Sequence, residues 1–214
     1  MASSIHTALL VIDMQNFFAT MTQAALPHIQ TLVRHFKSKN LPIIFTQHGH
    51  DEADLSGPPY RNQLVRKWGP GGSIHFGSED WELQPPIAKL IKDDLAGDAQ
   101  IVHKNTYDAF INTDLDKLLR RVKVERVVVC GCMTDCCVDT TARGSFNRGW
   151  ETVSHLVISI TFFSLKKTSL LRMSKWLVRD ACGSASKTQH EAGLKGFGFA
   201  FGDVLSTNEV INSV

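Results

Sequence analysis

Short buried strands alternate with amphipathic helices along this chain of 214 residues, and this alternation constrains the fold more than any other feature. β-Branched and apolar residues predict strands at 7–13, 41–46, 99–104, 126–131, 176–181 and 202–205. Amphipathic spacing predicts helices at 27–39, 114–122 and 188–197. Strands that alternate with helices pair in parallel, and helices cover both faces of the sheet. We therefore predict one α/β domain over residues 1–214, a three-layer α/β/α sandwich with a mainly parallel sheet of about six strands.

The segment 127–146 is the most informative for chemistry. An apolar strand breaks there at Gly131, and four of the five cysteines lie between positions 130 and 137. A cysteine in the first turn of a helix lies near unpaired amides and the positive end of the helix dipole, which predicts a lowered thiol pKa. The same amides are suited to bind a developing oxyanion. This segment therefore predicts a cysteine nucleophile.

Two further charged residues follow predicted strands. Asp13 comes at the end of the first strand, and Lys104 at the end of the third. Ligands of parallel α/β sheets bind beyond the carboxyl ends of the strands, where these residues and the Gly131 turn are predicted to meet. Taken alone, each residue could equally well have an ordinary structural role: Asp13 as a strand cap, Lys104 as a solvated charge and Cys137 as a small buried residue. Together they predict a site with a base, a cation and a thiol.

The composition argues against several other classes of protein. The formal net charge is +2 and no block of Lys or Arg occurs, so no nucleic-acid partner is predicted. No segment approaches the roughly 20 apolar residues of a membrane helix, and residues 1–6 lack a secretory leader pattern, so we predict no membrane partner and a cytoplasmic protein. The odd cysteine count and the absence of CxxC spacing predict neither a disulfide framework nor a structural zinc site.

A long polar stretch at 48–82 interrupts the alternation of strands and helices. It contains Pro58-Pro59, a run of glycines at 69–72 and three isolated aromatic residues. Loops of this length in a compact domain are usually functional or disordered. We interpret the stretch as an active-site lid, with a plain surface loop as the alternative.

Four motifs, in this order, resemble the isochorismatase-like cysteine hydrolase superfamily, which includes nicotinamidases and N-carbamoylsarcosine amidases. The resemblance covers nearly the whole chain. The motifs are Leu-Val-Ile-Asp13-Met-Gln-Asn, Lys104-x-x-Tyr107-x-x-Phe110, Gly131-Cys-Met-Thr134-Asp-Cys-Cys137-Val-Asp-Thr-Thr-Ala-Arg143, and Asp180-Ala-Cys-Gly followed by His190-Glu-Ala.

The resemblance implies a role for each member of a catalytic triad. Cys137 aligns with the family's nucleophile because it lies three residues after Thr134, which makes Cys136 a bystander. Asp13 is then the general base, and Lys104 holds the carboxylate and the thiolate in place. The family also carries a cis peptide bond before the threonine, and this bond maps onto Cys132-Met133. It implies that the amides of Met133 and Cys137 bind the oxyanion.

A cysteine at this position favours hydrolysis of a C–N amide bond, as in nicotinamidases, through a covalent acyl-enzyme. Isochorismatases proper lack this cysteine and cleave a vinyl ether, which is the alternative reaction. A second alternative is an inactive member that serves as a binding scaffold. We expect a small amide substrate, no cofactor and, by analogy with the family, a homodimer or homotetramer. The residues predicted to bind substrate are Phe17, Gln47, His48, Trp68, Tyr107 and Phe110.

The metal ligands of the metal-dependent nicotinamidases are not all present. Those enzymes carry Asp-x-His and a further histidine after the second strand, whereas this chain reads Thr46-Gln-His48-Gly-His50. The carboxylate is absent from its expected place. We therefore predict no metal, with zinc bound by His48 and His50 as the alternative.

Residues 153–175 have no counterpart in the family pattern. The stretch is apolar and then basic, and joining its flanks restores an uninterrupted turn and buried strand. We interpret it as a translated intron, with a genuine insertion as the alternative. Deleting residues 153–175 is expected to raise the soluble yield, because an exposed apolar block beside a buried strand promotes aggregation. An unchanged or lower yield, or transcripts that retain the segment in mature message, would contradict the intron interpretation.

Overall fold

A computed structural model describes residues 6–97, 99–150 and 175–214. Within these ranges six strands form one sheet with parallel pairing throughout, in the order β3-β2-β1-β4-β5-β6. The predicted six-stranded parallel sheet is therefore confirmed. The segment 153–175 lies outside the described residues except for Lys175. The strands are β1 (Thr7–Ile12), β2 (Ile43–His48), β3 (Gln100–Lys104), β4 (Arg126–Cys132), β5 (Trp176–Gly183) and β6 (Asp203–Leu205).

Helices cover both faces of the sheet, as the alternating pattern predicted. On one face α2 packs against α5 and α9, and on the other α7 packs against α8. Among the described residues, no helix has both the length and the apolar character needed to cross a bilayer. The α-helices are α1 (Ala19–Thr22), α2 (Leu26–Ser38), α3 (Glu52–Leu55), α4 (Gln63–Trp68), α5 (Pro85–Asp94), α6 (Leu115–Arg121), α7 (Asp139–Asn147), α8 (Lys187–Ala200) and α9 (Thr207–Ile211).

The two central strands are buried along their whole length. All residues of β1 and β4 are shielded from solvent, which is typical of a strand covered by helices on both faces. Gly131 lets these strands approach closely, because a Cβ atom there would lie 2.1 Å from the carbonyl oxygen of Ile12. Its φ of +118° also favours glycine.

The strand order reverses between β1 and β4. From β1 the chain moves to β2 and β3 on one side, and from β4 to β5 and β6 on the other. The carboxyl ends of strands at such a switch point form a crevice, which is where ligands bind in open α/β sheets. Asp13 follows β1 at this crevice, and the turn that carries Cys137 follows β4.

The stretch at 48–82 is more ordered than a plain loop. It contains α3 and α4, and the side chains of Leu64, Val65 and Ile74 are buried. The His50 amide donates to the Ile74 carbonyl oxygen at 2.8 Å, and the Phe76 amide donates to the His50 carbonyl oxygen at 3.0 Å. The two ends of the stretch are thereby held together beside β2. We refer to residues 48–82 as the lid segment.

Candidate active site

Asp13 and Lys104 form a buried ion pair at the carboxyl edge of the sheet. Lys104 Nζ lies 2.6 Å from Asp13 Oδ2, and both side chains are fully shielded from solvent. The Thr46 hydroxyl donates to Asp13 Oδ1 at 2.5 Å and accepts the Asp13 amide at 3.1 Å. Lys104 also donates to the Thr106 carbonyl oxygen at 3.0 Å. Four contacts therefore hold the carboxylate and the ammonium in place.

The Asp13 backbone is in the left-handed region, with φ of 48°. This conformation costs roughly 1–3 kcal/mol for a residue other than glycine, and it persists only where the surroundings enforce it. The amide of Gln15 donates to the Asp13 carbonyl oxygen at 2.8 Å, so β1 ends in a sharp turn at the carboxylate. Strained positions of this kind are concentrated at functional sites.

Cys137 lies in a wide helical turn directly after β4. The amides of Cys136 and Val138 both donate to the Met133 carbonyl oxygen, at 3.0 and 3.1 Å. The second bond spans five residues, as in the π-type turns that frequently occur at functional sites. The Cys132-Met133 peptide bond that precedes the turn is cis. Helix α7 begins only at Asp139, so Cys137 is not in the first turn of a regular α-helix.

The Cys137 thiol meets both members of the ion pair. The side chains of Asp13 and Lys104 both act on its pKa, and only 3% of the residue is exposed. Burial raises the pKa of Cys137 above its usual value, and the Asp13 charge adds to this effect, while Lys104 opposes it. The lowered pKa predicted from the sequence is therefore wrong. Desolvation and a neighbouring carboxylate outweigh the helix terminus and the ammonium.

The charges around Lys104 act in the opposite direction. Burial alone lowers the pKa of this ammonium, but the neighbouring Asp13 and Cys137 side chains raise it above its usual value, and the charge of Asp13 is the largest raising contribution. Lys104 therefore remains charged at neutral pH. The resting site holds an ammonium, a carboxylate and a neutral thiol, with the carboxylate placed to accept the thiol proton.

A cavity of about 320 Å³ opens onto the thiol, and its lining is mainly apolar. The predicted residues Phe17, His48, Trp68 and Tyr107 line it, as do both predicted oxyanion residues, Met133 and Cys137. The Trp68 indole N–H donates to the Tyr107 hydroxyl at 2.8 Å and so joins the lid segment to the loop after β3. The lid segment, the loop before α8 and the first turn of α8 contribute further lining residues, among them Leu64, Ser73, Ile74, Ala185 and Gln189.

Two residues predicted to bind substrate do not line this cavity. Gln47 is buried, and its side-chain amide donates to the Trp81 carbonyl oxygen at 3.1 Å. Phe110 belongs to the hydrophobic core, with the Arg148 guanidinium 4.7 Å above its ring. Both predictions placed a residue by its distance from a motif, and the direction of the side chain decided otherwise. Neither residue is retained as a substrate contact.

His48 is a buried, neutral imidazole in the cavity wall. Burial lowers its pKa to about 3, and the positive charge of Lys104 acts in the same direction. Its Nδ1 atom is buried and makes no hydrogen bond to the described residues.

The Asp54 carboxylate beside His50 is not free to complete a zinc site with His48 and His50. His50 Nδ1 pairs with Asp54 Oδ2 at 3.2 Å, and the same oxygen accepts from Asn62 and Asn105 at 3.3 and 2.8 Å. That carboxylate is therefore committed to other groups. Among the described ranges, no cluster of three or more His, Cys, Asp or Glu side chains is arranged to hold a metal ion.

The low pKa of His48 predicts a pH dependence of stability. The unfolded chain binds a proton at His48 near pH 6.5, whereas the folded protein binds it near pH 3. Stability is therefore fully present above pH 6.5 and is lost as the pH falls toward 3. Between pH 7 and pH 4.5, we expect the free energy of unfolding to fall by roughly 2–3 kcal/mol less in His48→Gln than in the wild type. Urea unfolding at both pH values measures this decrease. An equal decrease in the two proteins would contradict a buried, neutral His48.

Similarity to known proteins agrees with this geometry. The family model for the isochorismatase domain matches residues 7–157. The chain is 30% identical over 207 residues to Nicotinamidase 3 of Arabidopsis thaliana, covering 97% of this chain and 88% of that protein. A cysteine hydrolase from Pseudomonas syringae has a similar fold, with a TM-score of 0.74 at 23% identity, covering 99% of this chain and 93% of that one.

A second solved structure with a similar fold is N-carbamoylsarcosine amidase from Thermoplasma acidophilum. Its TM-score is 0.69 at 19% identity, and the alignment covers 95% of this chain and 98% of that one. The four sequence motifs, the parallel sheet and the matched residues 7–157 lead to the same assignment. The chain belongs to the isochorismatase family.

Proposed function

We propose that this protein hydrolyses the C–N bond of a small, uncharged amide, with Cys137 as nucleophile, Asp13 as general base and Lys104 as the positioning cation. The observation that carries the proposal is the meeting of these three side chains at one end of the apolar cavity. Asp13 follows β1, Lys104 is the last residue of β3, and the thiol follows β4. The similarity to Nicotinamidase 3 supports the same class of reaction.

The first half of the reaction forms an acyl-enzyme. Asp13 takes the thiol proton of Cys137 as sulfur attacks the amide carbonyl carbon, and the negative charge moves to the carbonyl oxygen. The amides of Met133 and Cys137 are the proposed donors to that oxyanion. The C–N bond then breaks, the proton on Asp13 passes to the leaving nitrogen, and ammonia or an amine departs. A thioester on Cys137 remains.

The second half of the reaction returns the enzyme to its resting state. Asp13, again a carboxylate, takes a proton from a water molecule that attacks the thioester carbonyl. The C–S bond breaks, the proton returns to the sulfur of Cys137, and the carboxylic acid product leaves. Lys104 remains charged throughout and holds Asp13 in position. These steps require no cofactor.

The charge of the cavity favours an uncharged substrate. Among the described residues that line it there is no Lys or Arg, and the Lys104 ammonium beneath the thiol is compensated by Asp13. His48 is neutral at physiological pH. A substrate carboxylate would lose its hydration without gaining a cation, which is unfavourable. The aromatic rings of Phe17, Trp68 and Tyr107 instead suit a flat, apolar group.

A panel of substrates tests the proposal. We expect ammonia release from uncharged carboxamides such as nicotinamide, with kcat/KM at least about 100-fold higher than for amides that carry a carboxylate. The carboxylate-bearing amides and isochorismate serve as the comparison. Turnover of isochorismate that survives Cys137→Ala would instead support vinyl-ether hydrolysis. No turnover of any compound would support the inactive scaffold.

A further inference from the structure

The end of β5 and the first turns of α8 contact the turn that carries the proposed nucleophile. We refer to the contacts of Gly183, Ser184 and His190 with Thr134 and Asp135 as the clasp. The Thr134 hydroxyl donates to the Gly183 carbonyl oxygen at 3.0 Å, and Thr134 Oγ1 also lies 2.8 Å from His190 Nδ1. Ser184, which follows β5, donates its hydroxyl to Asp135 Oδ1. Thr134 and Asp135 lie between Met133 and Cys137, whose amides are the proposed oxyanion donors. The clasp therefore acts on the segment that determines where those amides point.

The hydrogen count assigns the proton on His190. A threonine hydroxyl has one hydrogen, and a carbonyl oxygen can only accept, so the hydrogen of Thr134 is used by Gly183. The contact with His190 then requires an N–H on Nδ1. Burial lowers the pKa of His190, so the neutral ring carries its proton on Nδ1 and leaves Nε2 without one. A chain of two donors thus runs from His190 through Thr134 to Gly183.

Helix α8 also touches the turn through its backbone. A Cβ atom on Gly193 would lie 3.0 Å from the Asp135 Cα atom and 3.1 Å from the Thr134 carbonyl oxygen. Real Cβ contacts are rarely this short, and the atoms concerned belong to the main chain. A side chain at Gly193 would therefore push the helix away from the turn.

We propose that His190 is a positioning residue for the nucleophile turn, which it holds through its Nδ1 hydrogen bond to Thr134. The inference rests on the proposed function, because the turn matters for catalysis only where Cys137 and its neighbouring amides act on substrate. His190 does not itself touch the reacting atoms. It acts through Thr134, so its loss changes the geometry of the turn and leaves the cavity in place.

Two substitutions at His190 test the role of its Nδ1 donor. We expect His190→Ala to lower kcat for nicotinamide by about tenfold or more, with KM changed by less than about threefold, because small displacements of an oxyanion site lower the rate strongly. His190→Asn places an amide nitrogen where Nδ1 lies and is expected to retain kcat within about threefold. Glu191→Gln is the control for an exposed neighbour. Wild-type kcat in His190→Ala, or equal losses in both His190 variants, would overturn the proposal.

A second pair of substitutions separates the clasp from the stability of the helix. Alanine favours a helix more than glycine does, so Gly193→Ala and Gly196→Ala both favour α8. A Cβ atom on Gly196 would approach only the end of the Arg143 side chain, at 3.1 Å. We expect Gly193→Ala to lower kcat at least about tenfold and Gly196→Ala to leave it near the wild-type value. Equal kcat values in both variants would contradict the clasp.

The tautomer of His190 tests the hydrogen bond without any turnover. Long-range ¹H–¹⁵N correlation spectra of the ¹⁵N-labelled wild-type protein distinguish a proton on Nδ1 from one on Nε2. We expect the Nδ1–H form for His190 in the wild type. In Thr134→Val we expect this tautomer no longer to be preferred. An Nε2–H tautomer in the wild type would overturn the inference even if amidase activity is present. The Nδ1–H form in a protein without amidase activity would instead indicate that the proposed function is wrong.

Discussion

Replacing Cys137 with alanine is expected to lower amide hydrolysis by at least about 10⁴-fold, since the attacking atom is removed and no other thiol takes its place. Cys136 is the adjacent thiol, but the charges that act on its pKa are those of Asp135 and Asp139. Burial raises the pKa of Cys136 to about 11, with the nearby charge of Asp135 acting in the same direction. Ammonia release by purified Cys137→Ala measures the effect.

Cys136→Ala is the matched variant for this experiment. We expect it to retain turnover within about tenfold of the wild type, since its side chain lines the cavity but is not the proposed nucleophile. Comparable losses in the two variants would indicate that the pair of cysteines acts jointly. Full loss in Cys136→Ala with retained activity in Cys137→Ala would contradict the assignment of the nucleophile.

Breaking the buried ion pair is expected to be the largest effect on stability. Asp13→Asn leaves the Lys104 ammonium buried without its counter-charge, and Lys104→Met leaves the carboxylate in the same situation. Each change is expected to lower the free energy of unfolding by roughly 3–5 kcal/mol. The double variant buries neither charge, so its loss is expected to be smaller than the sum of the single losses. All three variants are expected to lack amidase activity.

Urea unfolding of the four proteins gives the coupling free energy of Asp13 and Lys104. Thr46→Val is a useful control, because it removes the hydroxyl bonded to Asp13 and keeps both charges. It is expected to lose less stability than either single charge variant. Strictly additive losses in the double variant would contradict a direct, desolvated pair.

The sequence predicted the sheet and the meeting of three strand ends for a specific reason. Buried β-branched runs and amphipathic spacing are local patterns, and they located all six strands to within about two residues. Asp13, Lys104 and Cys137 each lie at or just after the end of a strand, and parallel strands bring their carboxyl ends to one edge. Strand ends alone therefore brought three distant positions together.

The same patterns do not predict how deeply a side chain is buried or which way it points. The pKa of Cys137 depends on how completely the fold removes water from the thiol, which strand positions do not reveal. Gln47 and Phe110 belong to recognisable motifs, yet one side chain turns to Trp81 and the other enters the core. Thr46 was missed because its bond to Asp13 requires the register of β1 against β2.

The role of α8 was also missed, although one signal for it was present. His190 belongs to the fourth sequence motif, which by itself assigns it neither a partner nor a function. Its contact with Thr134 joins residues 56 positions apart, and no local pattern predicts such a distance. Gly193 gives a weaker signal, because a glycine inside a helix is unfavourable and often marks a close approach.

The most direct test of the central claim is to identify the residue that carries the acyl group. Acid quenching of the wild-type protein during turnover of an uncharged amide, followed by fragmentation of the peptide that contains Cys136 and Cys137, assigns the thioester by mass. We predict the acyl mass on Cys137, and no acylated peptide in Cys137→Ala. An acyl group on Cys136, or on any residue other than Cys137, would contradict the account.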